Sequence, residues 1–193
     1  MLESVVIVGA SLGGIRAAEL LRRKGFAGRL TLVGDELHLP YDRPPLSKQL
    51  LTGAWREEQI ALRRKPYEEL DLDLRLGLRA TGLDVAQRVV TLSDGTSLTY
   101  DALILATGAR ARRLPNQPQL RGLFELRTLD HARALGEALA SKPRVCVIGA
   151  GFIRTDFLVI QRDIFRALVV KRGRILHPFI LWRWGQRVRA DHV

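Results

Sequence analysis

The pattern of apolar and polar positions predicts two segments in which strands and helices alternate. Residues 5–8 form a continuous β-branched run, which is typical of a parallel strand buried on both faces. Apolar residues then recur at helical spacing as far as Gly25, and residues 30–33 form a second strand. A second such segment has a helix at about 129–140 and a strand at 144–148. This order predicts an α/β fold built from βαβ units.

Between these segments the pattern predicts strands and a hairpin. Leucines alternate with polar residues through 72–78, as in a strand with one buried face. Residues 89–100 are predicted to form a β-hairpin with a two-residue loop at Asp94-Gly95, a pair that favours positive φ angles. A buried strand at 102–105 follows and leads into Ala106-Thr107-Gly108.

The turn after the first strand carries a nucleotide-binding pattern. Residues 9–14 read Gly-Ala-Ser-Leu-Gly-Gly, which fits G-x-G-x-x-G with Ser11 in the second glycine's place. Gly9 is expected to make the tight turn, Ser11 to let the backbone approach a pyrophosphate, and Gly14 to let helix and strand pack closely. Asp35 follows 21 residues after Gly14, and Asp35 or Glu36 can accept hydrogen bonds from a ribose.

Composition narrows the class of protein. The net charge is +11, of which the last 40 residues carry more than half, so a nucleic-acid surface is expected at most in the tail. Cys146 is the single cysteine and there is no C-x-x-C pair, so redox chemistry would need a cofactor. The start of the chain lacks a signal peptide's charged region and no apolar run has the length of a membrane span, which predicts a cytoplasmic protein.

A proline-rich loop gives a more specific indication. It reads LVGDELHLPYDRPPLSKQLLTG and offers Arg43 and Lys48 as phosphate or ring contacts. Together with VVIVGASLGG, and above all through PYDRPPLSK, the chain closely resembles the FAD-dependent ferredoxin and rubredoxin reductases of the pyridine nucleotide–disulfide oxidoreductase superfamily. The resemblance covers roughly residues 3–157. It implies a flavoprotein in which FAD takes hydride from NAD(P)H and passes single electrons to a ferredoxin- or rubredoxin-type protein.

The resemblance also implies roles for individual residues. Ala80 would lie beside the adenine, the Thr107-Gly108 backbone would pass close to FAD, and Arg127 would reach the FAD phosphates. Lys48 would lie near the flavin ring, where a cation stabilises the reduced, anionic form. No residue is predicted to be catalytic, because FAD would supply the chemistry. The predicted cofactor-binding residues are Gly9, Ser11, Gly13, Gly14, Asp35, Arg43, Lys48, Ala80, Thr107, Gly108, Arg127, Gly149 and Gly151.

A second nucleotide-binding turn follows the strand at 144–148, but its pattern is broken. Gly149 and Gly151 are present, whereas Arg154 and Asp156 replace a glycine and a glutamate of the family. Apolar spacing favours a helix over 157–168, after which no further resemblance is seen. Arg172 or Arg174 could meet a 2′-phosphate, but the rest of the tail offers no nucleotide-site motif.

The predicted organisation is therefore an FAD-binding domain with a β-hairpin insertion, followed by an incomplete second Rossmann-like domain. The domains are an FAD-binding part at 1–113, a linker at 114–122, the start of an NAD(P)H-binding domain at 123–170, and a basic tail at 171–193. The chain resembles a reductase truncated after the start of that second domain. Two alternatives stay open: a catalytically inactive FAD- or nucleotide-binding fragment, and a protein that interacts through its basic, aromatic tail.

Overall fold

The computed structural model describes residues 2–110 and 121–148, together with the backbone of 167–171 and 174–176. For residues 146–148 the description is also limited to the backbone. The chain divides into two compact units: Met1–Asp42 with Glu57–Arg110, and Arg43–Arg56 with Ala111–Val193. Most of the predicted linker, the turn glycines Gly149 and Gly151, and the predicted tail beyond residue 176 lie outside the described residues.

The first unit contains seven described strands and one α-helix. They are β1 (Ser4–Val8), α1 (Leu12–Arg23), β2 (Arg29–Gly34), β3 (Leu72–Leu76), β4 (Ala80–Asp84), β5 (Val89–Leu92), β6 (Ser97–Thr99) and β7 (Ala102–Leu105). Four strands form a parallel sheet in the order β3-β2-β1-β7. The other three form a small antiparallel sheet in the order β4-β5-β6. The parallel sheet confirms the predicted α/β class.

Both faces of the central strand β1 are buried, as its unbroken apolar run predicts. Val5 and Ile7 pack on one face, in a cluster that includes Ile15 of α1. Val6 and Val8 pack on the other face, in a cluster that includes Val90 and Leu92 of the small sheet. The helix and the small sheet therefore cover opposite faces of the parallel sheet.

The end of α1 shows why Gly25 stops the helix. The N–H of Gly25 donates to the carbonyl of Arg22 at 3.0 Å, and the N–H of Phe26 donates to that of Leu21 at 3.0 Å. These two bonds define a Schellman motif, which needs a left-handed residue after the C-cap. Gly25 has φ +86°, so the predicted glycine stop is confirmed.

Two local expectations in the first unit are wrong. The hairpin loop at Asp94-Gly95 is not a two-residue turn with two positive φ angles, because Gly95 has φ +86° and Asp94 does not have a positive φ. Leu92 pairs with Thr96 across the loop, and the Asp94 carboxylate accepts the Thr96 N–H at 3.0 Å, which stabilises a longer turn. The strand at 102–105 is also less buried than predicted, since Leu105 is 62% exposed.

The second unit joins part of the proline-rich loop to the second predicted segment. A short 3₁₀ helix, Pro44–Ser47, contacts α2 (Leu129–Ala140), whose bounds agree with the prediction. The strands β8 (Val145–Ile148) and β9 (Ala167–Lys171) are parallel, and β10 (Arg174–Leu176) is antiparallel to β9. Leu168 lies in β9 rather than on the predicted helix, because pairing with β8 takes precedence over a helical apolar spacing. Neither described α-helix is long and apolar enough to cross a membrane.

Candidate functional site

The glycine-rich turn joins β1 to α1 at the carboxyl end of the parallel sheet. Gly9 has φ +121°, a conformation that side-chain-bearing residues rarely adopt, and its N–H donates to the carbonyl of Val33 at 2.8 Å. Ser11 is the N-cap in an extended conformation, and α1 begins at Leu12. The turn therefore brings the chain from the end of β1 to the helix within three residues.

Two of the glycines are required by close backbone packing. A Cβ atom on Gly9 would overlap the carbonyl oxygen of Ala106, which follows β7. A Cβ atom on Gly14 would overlap the carbonyl oxygen of Gly9 and lie 3.1 Å from the Leu32 side chain. Gly13 differs from both, because a Cβ atom there would make only an ordinary contact with the Ala106 side chain at 3.5 Å.

The first turn of α1 is arranged to attract an anion. The first intrahelical bond is donated by Ile15 to the Ser11 carbonyl at 3.0 Å. The N–H groups of Leu12, Gly13 and Gly14 therefore have no carbonyl within the helix to bond. There is no acidic side chain in this turn, so the positive end of the helix dipole is not neutralised there. Backbone N–H groups in this arrangement suit a phosphate.

Asp35 lies one strand away from the turn, directly after β2. Its two carboxylate oxygens accept from Arg79, with Nε to Oδ1 at 3.1 Å and Nη2 to Oδ2 at 2.8 Å. The hydrogen bond to Asp35, reinforced by its charge, raises the pKa of Arg79 above its usual value. The neighbouring acid, Glu36, instead accepts a hydrogen bond from the Tyr41 hydroxyl. Of the two acids suited to the ribose role, Asp35 is thus held by a guanidinium across both oxygens, whereas Glu36 bonds a phenol hydroxyl.

Three further predicted residues belong to the first unit. Ala80 begins β4 and packs against the cluster around Val6 and Val8. Thr107 and Gly108 directly follow Ala106, whose N–H donates to the Val8 carbonyl at 2.8 Å, and both are exposed. Val8 pairs with Val33 of β2 and with Leu105 of β7, so three strands end together. The structure thus places the turn, Asp35 and Thr107-Gly108 at one edge of the sheet, where α/β proteins bind ligands.

The remaining described site residues belong to the second unit. The Arg43 guanidinium donates from Nη1 to the backbone carbonyl of Arg127 at 2.7 Å, so these two predicted residues are brought together. Lys48 follows the 3₁₀ helix, and its carbonyl accepts from the Thr52 N–H at 3.1 Å. The binding roles of Arg43, Lys48 and Arg127 stay predictions. Gly149 and Gly151 lie outside the described residues.

Sequence reasoning missed two residues of this site. They are Arg79, which directly precedes Ala80, and Ala106, which directly precedes Thr107 and Gly108. Arg79 comes into contact with Asp35 through the fold, 44 residues away along the chain. The sequence does show a basic residue, Arg79, in the loop between β3 and β4. The spacing of residues along the chain does not predict that its partner is Asp35.

A separate groove of about 500 Å³ lies along α1 in the first unit. None of the predicted site residues lines it. Its Arg63 side chain is only 8% exposed and makes ion pairs with Glu19 at 3.3 Å and Glu69 at 2.9 Å. Arg63 is thus held by ion pairs within the groove, and the candidate nucleotide site lies apart from the groove, at the carboxyl edge of the parallel sheet. Its basic lining residues are Arg16, Arg22, Arg23, Arg63, Arg64 and Lys65.

These features are those of a Rossmann-type dinucleotide-binding fold: a parallel strand, a glycine-rich turn, a helix N-terminus and an acid after the next strand. The chain belongs to the pyridine nucleotide-disulphide oxidoreductase family, whose model matches residues 3–190. The match extends beyond residue 157, where the recognisable motifs end.

Similar proteins place the chain more closely within this family. It is 39% identical over 165 residues to the ferredoxin–NAD(+) reductase component of the biphenyl dioxygenase system of Paraburkholderia xenovorans, covering 85% of this chain and 40% of that protein. It is 45% identical over 161 residues to rhodocoxin reductase of Rhodococcus erythropolis, covering 82% and 38%. The family resemblance inferred from the motifs is therefore confirmed. The chain spans about 40% of the length of these relatives.

A solved structure agrees with this placement. The covalent complex of putidaredoxin reductase and putidaredoxin contains a chain that matches this one with a TM-score of 0.79 and 34% sequence identity. The match covers 86% of this chain and 42% of that chain. The Rossmann-like fold class is thus supported by structure as well as by sequence.

Proposed function

We propose that the chain forms the FAD-binding part of an oxidoreductase that resembles NAD(P)H:ferredoxin and rubredoxin reductases. The observation that carries this proposal is the packing of Gly9 and Gly14, where added Cβ atoms would overlap backbone oxygens. That packing sets the N-terminal turn of α1 at the carboxyl edge of the sheet. The arrangement fits a dinucleotide, whose pyrophosphate needs close backbone N–H donors.

Different residues of the first unit would bind different groups of FAD. The N–H groups of Gly13 and Gly14 would donate to the phosphates, and Asp35 would accept from a ribose hydroxyl. Ala80 would border the adenine, and Thr107 and Gly108 would approach the cofactor through their backbone. FAD, when bound, accepts a hydride and releases electrons one at a time. The protein's part is binding and orientation, and no side chain is proposed as catalytic.

The second unit contains the other residues for which we propose binding roles. Arg43 and Arg127 carry charges that suit phosphates, and the bond from Arg43 to the Arg127 carbonyl holds the two residues together. Lys48 would stabilise the reduced ring through its positive charge. Gly149 and Gly151 would begin a site for NAD(P)H as co-substrate.

The proposed electron acceptor is a ferredoxin- or rubredoxin-type iron–sulfur protein. Support comes from a relative described as a ferredoxin–NAD(+) reductase component, at 39% identity. A solved match is a chain of the covalent putidaredoxin reductase–putidaredoxin complex. The proposed setting is the cytoplasm, as expected from the sequence.

A second candidate is a catalytically inactive fragment that binds FAD or another nucleotide. The observation in its favour is the broken second nucleotide-binding turn, in which Arg154 and Asp156 replace a glycine and a glutamate of the family. The two candidates share the site at the sheet edge. They differ in whether bound FAD can be reduced by NAD(P)H.

The distinguishing experiment records the visible spectrum of the purified chain, supplied with FAD, before and after anaerobic addition of NADH or NADPH. Bound FAD whose absorbance bleaches supports the oxidoreductase, and bound FAD that stays oxidised supports the inactive fragment. If the chain retains no FAD after gel filtration, the oxidoreductase fails, and if it also binds no other nucleotide such as ADP, the second candidate fails too.

A charge variant tests the location of the site. Gly13→Glu adds a carboxylate to the exposed first turn of α1, where it would repel the phosphates, and should weaken FAD binding about tenfold or more. Leu20→Glu is the matched control, since Leu20 is exposed on the same helix, 44% by area, and nearer its other end. Equal FAD affinity of the two variants would place the phosphates elsewhere.

A further inference from the structure

The contact between Arg79 and Asp35 is bidentate and lies on the surface. Nε and Nη2 of Arg79 each donate to a different oxygen of Asp35, at 3.1 and 2.8 Å. The side chains are 66% and 59% exposed, so a ligand can approach the carboxylate. A guanidinium in this geometry fixes both the position and the plane of a carboxylate.

The backbone of Arg79 is also held in place. Its N–H donates to the Ser93 hydroxyl at 3.1 Å, and its carbonyl accepts from the Ser93 N–H at 2.8 Å. Arg79 therefore extends from an anchored position between β3 and β4. Asp35, directly after β2, gains its orientation from a residue outside its own strand.

We propose that Arg79 is a positioning residue that orients the Asp35 carboxylate toward the 2′-hydroxyl of an adenosine ribose. This inference rests on the proposed nucleotide site. An ionised carboxylate offers about four acceptor positions, two on each oxygen. Arg79 takes the facing position on each oxygen and leaves one outward-pointing position on each, and one of these can accept from a ribose hydroxyl. The fork fixes the plane of the carboxylate and therefore the direction of that free acceptor.

A second arginine–aspartate pair in the same unit provides a comparison. Arg75 donates from Nε to Oδ1 of Asp73 at 2.8 Å, within β3. The other Asp73 oxygen accepts from the Thr31 hydroxyl at 3.4 Å, so that carboxylate is not held by two arms of one guanidinium. The Arg75 pair has similar chemistry but does not follow β2 beside the glycine-rich turn. It therefore serves as a matched control.

The test measures binding of ADP and of 2′-deoxy-ADP to the full chain by isothermal titration calorimetry. The unaltered chain should bind ADP about tenfold more tightly than 2′-deoxy-ADP, because a hydrogen bond to a charged group contributes about that factor to affinity. Arg79→Ala should weaken ADP binding about tenfold and reduce the preference to about twofold. Arg79→Lys should resemble Arg79→Ala, because an ammonium keeps the charge but cannot hold two oxygens in one plane.

Further variants separate positioning from general charge effects. Asp35→Asn should abolish the ADP preference, and adding Arg79→Ala to it should have little further effect, because Arg79 acts through Asp35. Arg75→Ala should leave both affinities unchanged. Thermal unfolding of each variant checks that it is folded. We expect all of them to fold, because Arg79 and Asp35 are exposed.

The outcomes distinguish this inference from the proposed function. If the unaltered chain binds ADP, and folded Arg79→Ala keeps the full preference for ADP, the positioning role is overturned and the nucleotide site stands. If the unaltered chain binds neither ADP nor FAD, the proposed function fails, and the inference fails with it. A loss of preference that also occurs in Arg75→Ala would likewise overturn the specific role of Arg79.

Discussion

The carbonyl oxygen of Ala106 lies in the space that a Cβ atom on Gly9 would occupy. Ala106 is held there because its N–H donates to the Val8 carbonyl at 2.8 Å, next to Gly9 in the chain. The end of β7 and the turn after β1 are thus packed backbone against backbone. This contact ties the glycine-rich turn to the Thr107-Gly108 segment, and both are predicted to face the same cofactor.

Gly9→Ala should destabilise the protein more than a positive φ angle alone explains. Alanine would meet both the strain of φ +121° and the overlap with Ala106, so we expect a loss of about 3 kcal/mol or more. Gly25→Ala is the control, because Gly25 has φ +86° with nothing within 4 Å of the added atom and should lose about 1 kcal/mol. Urea unfolding measures both. Equal losses of unfolding free energy in the two variants would show that the backbone at Ala106 shifts to accommodate the added Cβ atom at little cost.

Two neighbouring glycines of α1 should respond in opposite directions to the same change. Gly14→Ala would force a Cβ atom against the Gly9 carbonyl and should lower the free energy of unfolding by about 2 kcal/mol. Gly13→Ala has only an ordinary contact at 3.5 Å, and alanine is the better helix former, so stability should rise by about 0.5 kcal/mol. Urea midpoints test the pair, and destabilisation of Gly13→Ala by as much as Gly14→Ala would contradict the packing described.

Local sequence signals predicted much of the fold because the relevant interactions are local. The β-branched run of β1, the glycine stop at Gly25 and the bounds of α2 are all set by residues within a few positions. The family motif added the order of the segments. The close approach of Gly9 and Gly14 agrees with the roles of these glycines in the G-x-G-x-x-G pattern.

Contacts between distant segments could not be predicted in the same way. Asp35 and Arg79 are in contact because β2 and β3 are adjacent and parallel. The periodicity of apolar residues does not predict which side chains meet after two neighbouring strands. Leu168 has an apolar spacing compatible with a helix, but the parallel partner β8 makes it part of a strand. The loop at Asp94-Gly95 is stabilised by the bond from the Thr96 N–H to the Asp94 carboxylate. The preference of Asp-Gly pairs for two-residue turns does not take that bond into account.

Asp101 should make stability depend on pH in the acid range. The N–H of Glu3, the N–H of Ser4 and the Ser4 hydroxyl donate to its carboxylate and lower its pKa below the ordinary value of 3.8. The unfolded chain then binds a proton more readily than the folded chain. The stabilisation is present above the unfolded pKa and is lost as pH falls through the lower folded pKa.

Asp101→Asn tests this dependence, with urea midpoints recorded from about pH 6 to about pH 3. The variant should be less stable at pH 6, because the amide cannot replace the charged acceptor of three donors, and its midpoint should fall less as the pH decreases. Glu58→Gln, on a surface 3₁₀ helix, should follow the unaltered profile. If the urea midpoints of Asp101→Asn and the unaltered chain fell in parallel with pH, Asp101 would not contribute to the loss of stability in acid.

Arg22 should be a major source of stability in the first unit, in contrast to its neighbour Arg23. Its guanidinium donates to the backbone carbonyls of Leu70, Phe26, Gly28 and Asp71 at 2.6–2.9 Å, and its side chain is only 15% exposed. The bonds join α1 to the loop before β2 and to the residues before β3. Removing a largely buried charged donor leaves these carbonyls without their partner.

Arg22→Ala should therefore lower the free energy of unfolding by about 3 kcal/mol, and Arg22→Lys by about 2 kcal/mol, since an ammonium cannot span all the carbonyls. Arg23→Ala, at an exposed position, should change it by less than about 0.5 kcal/mol. Urea unfolding of the three variants at one pH measures the difference. If Arg22→Lys retained full stability, charge alone would account for the effect, and the directed bonds to the carbonyls would contribute little.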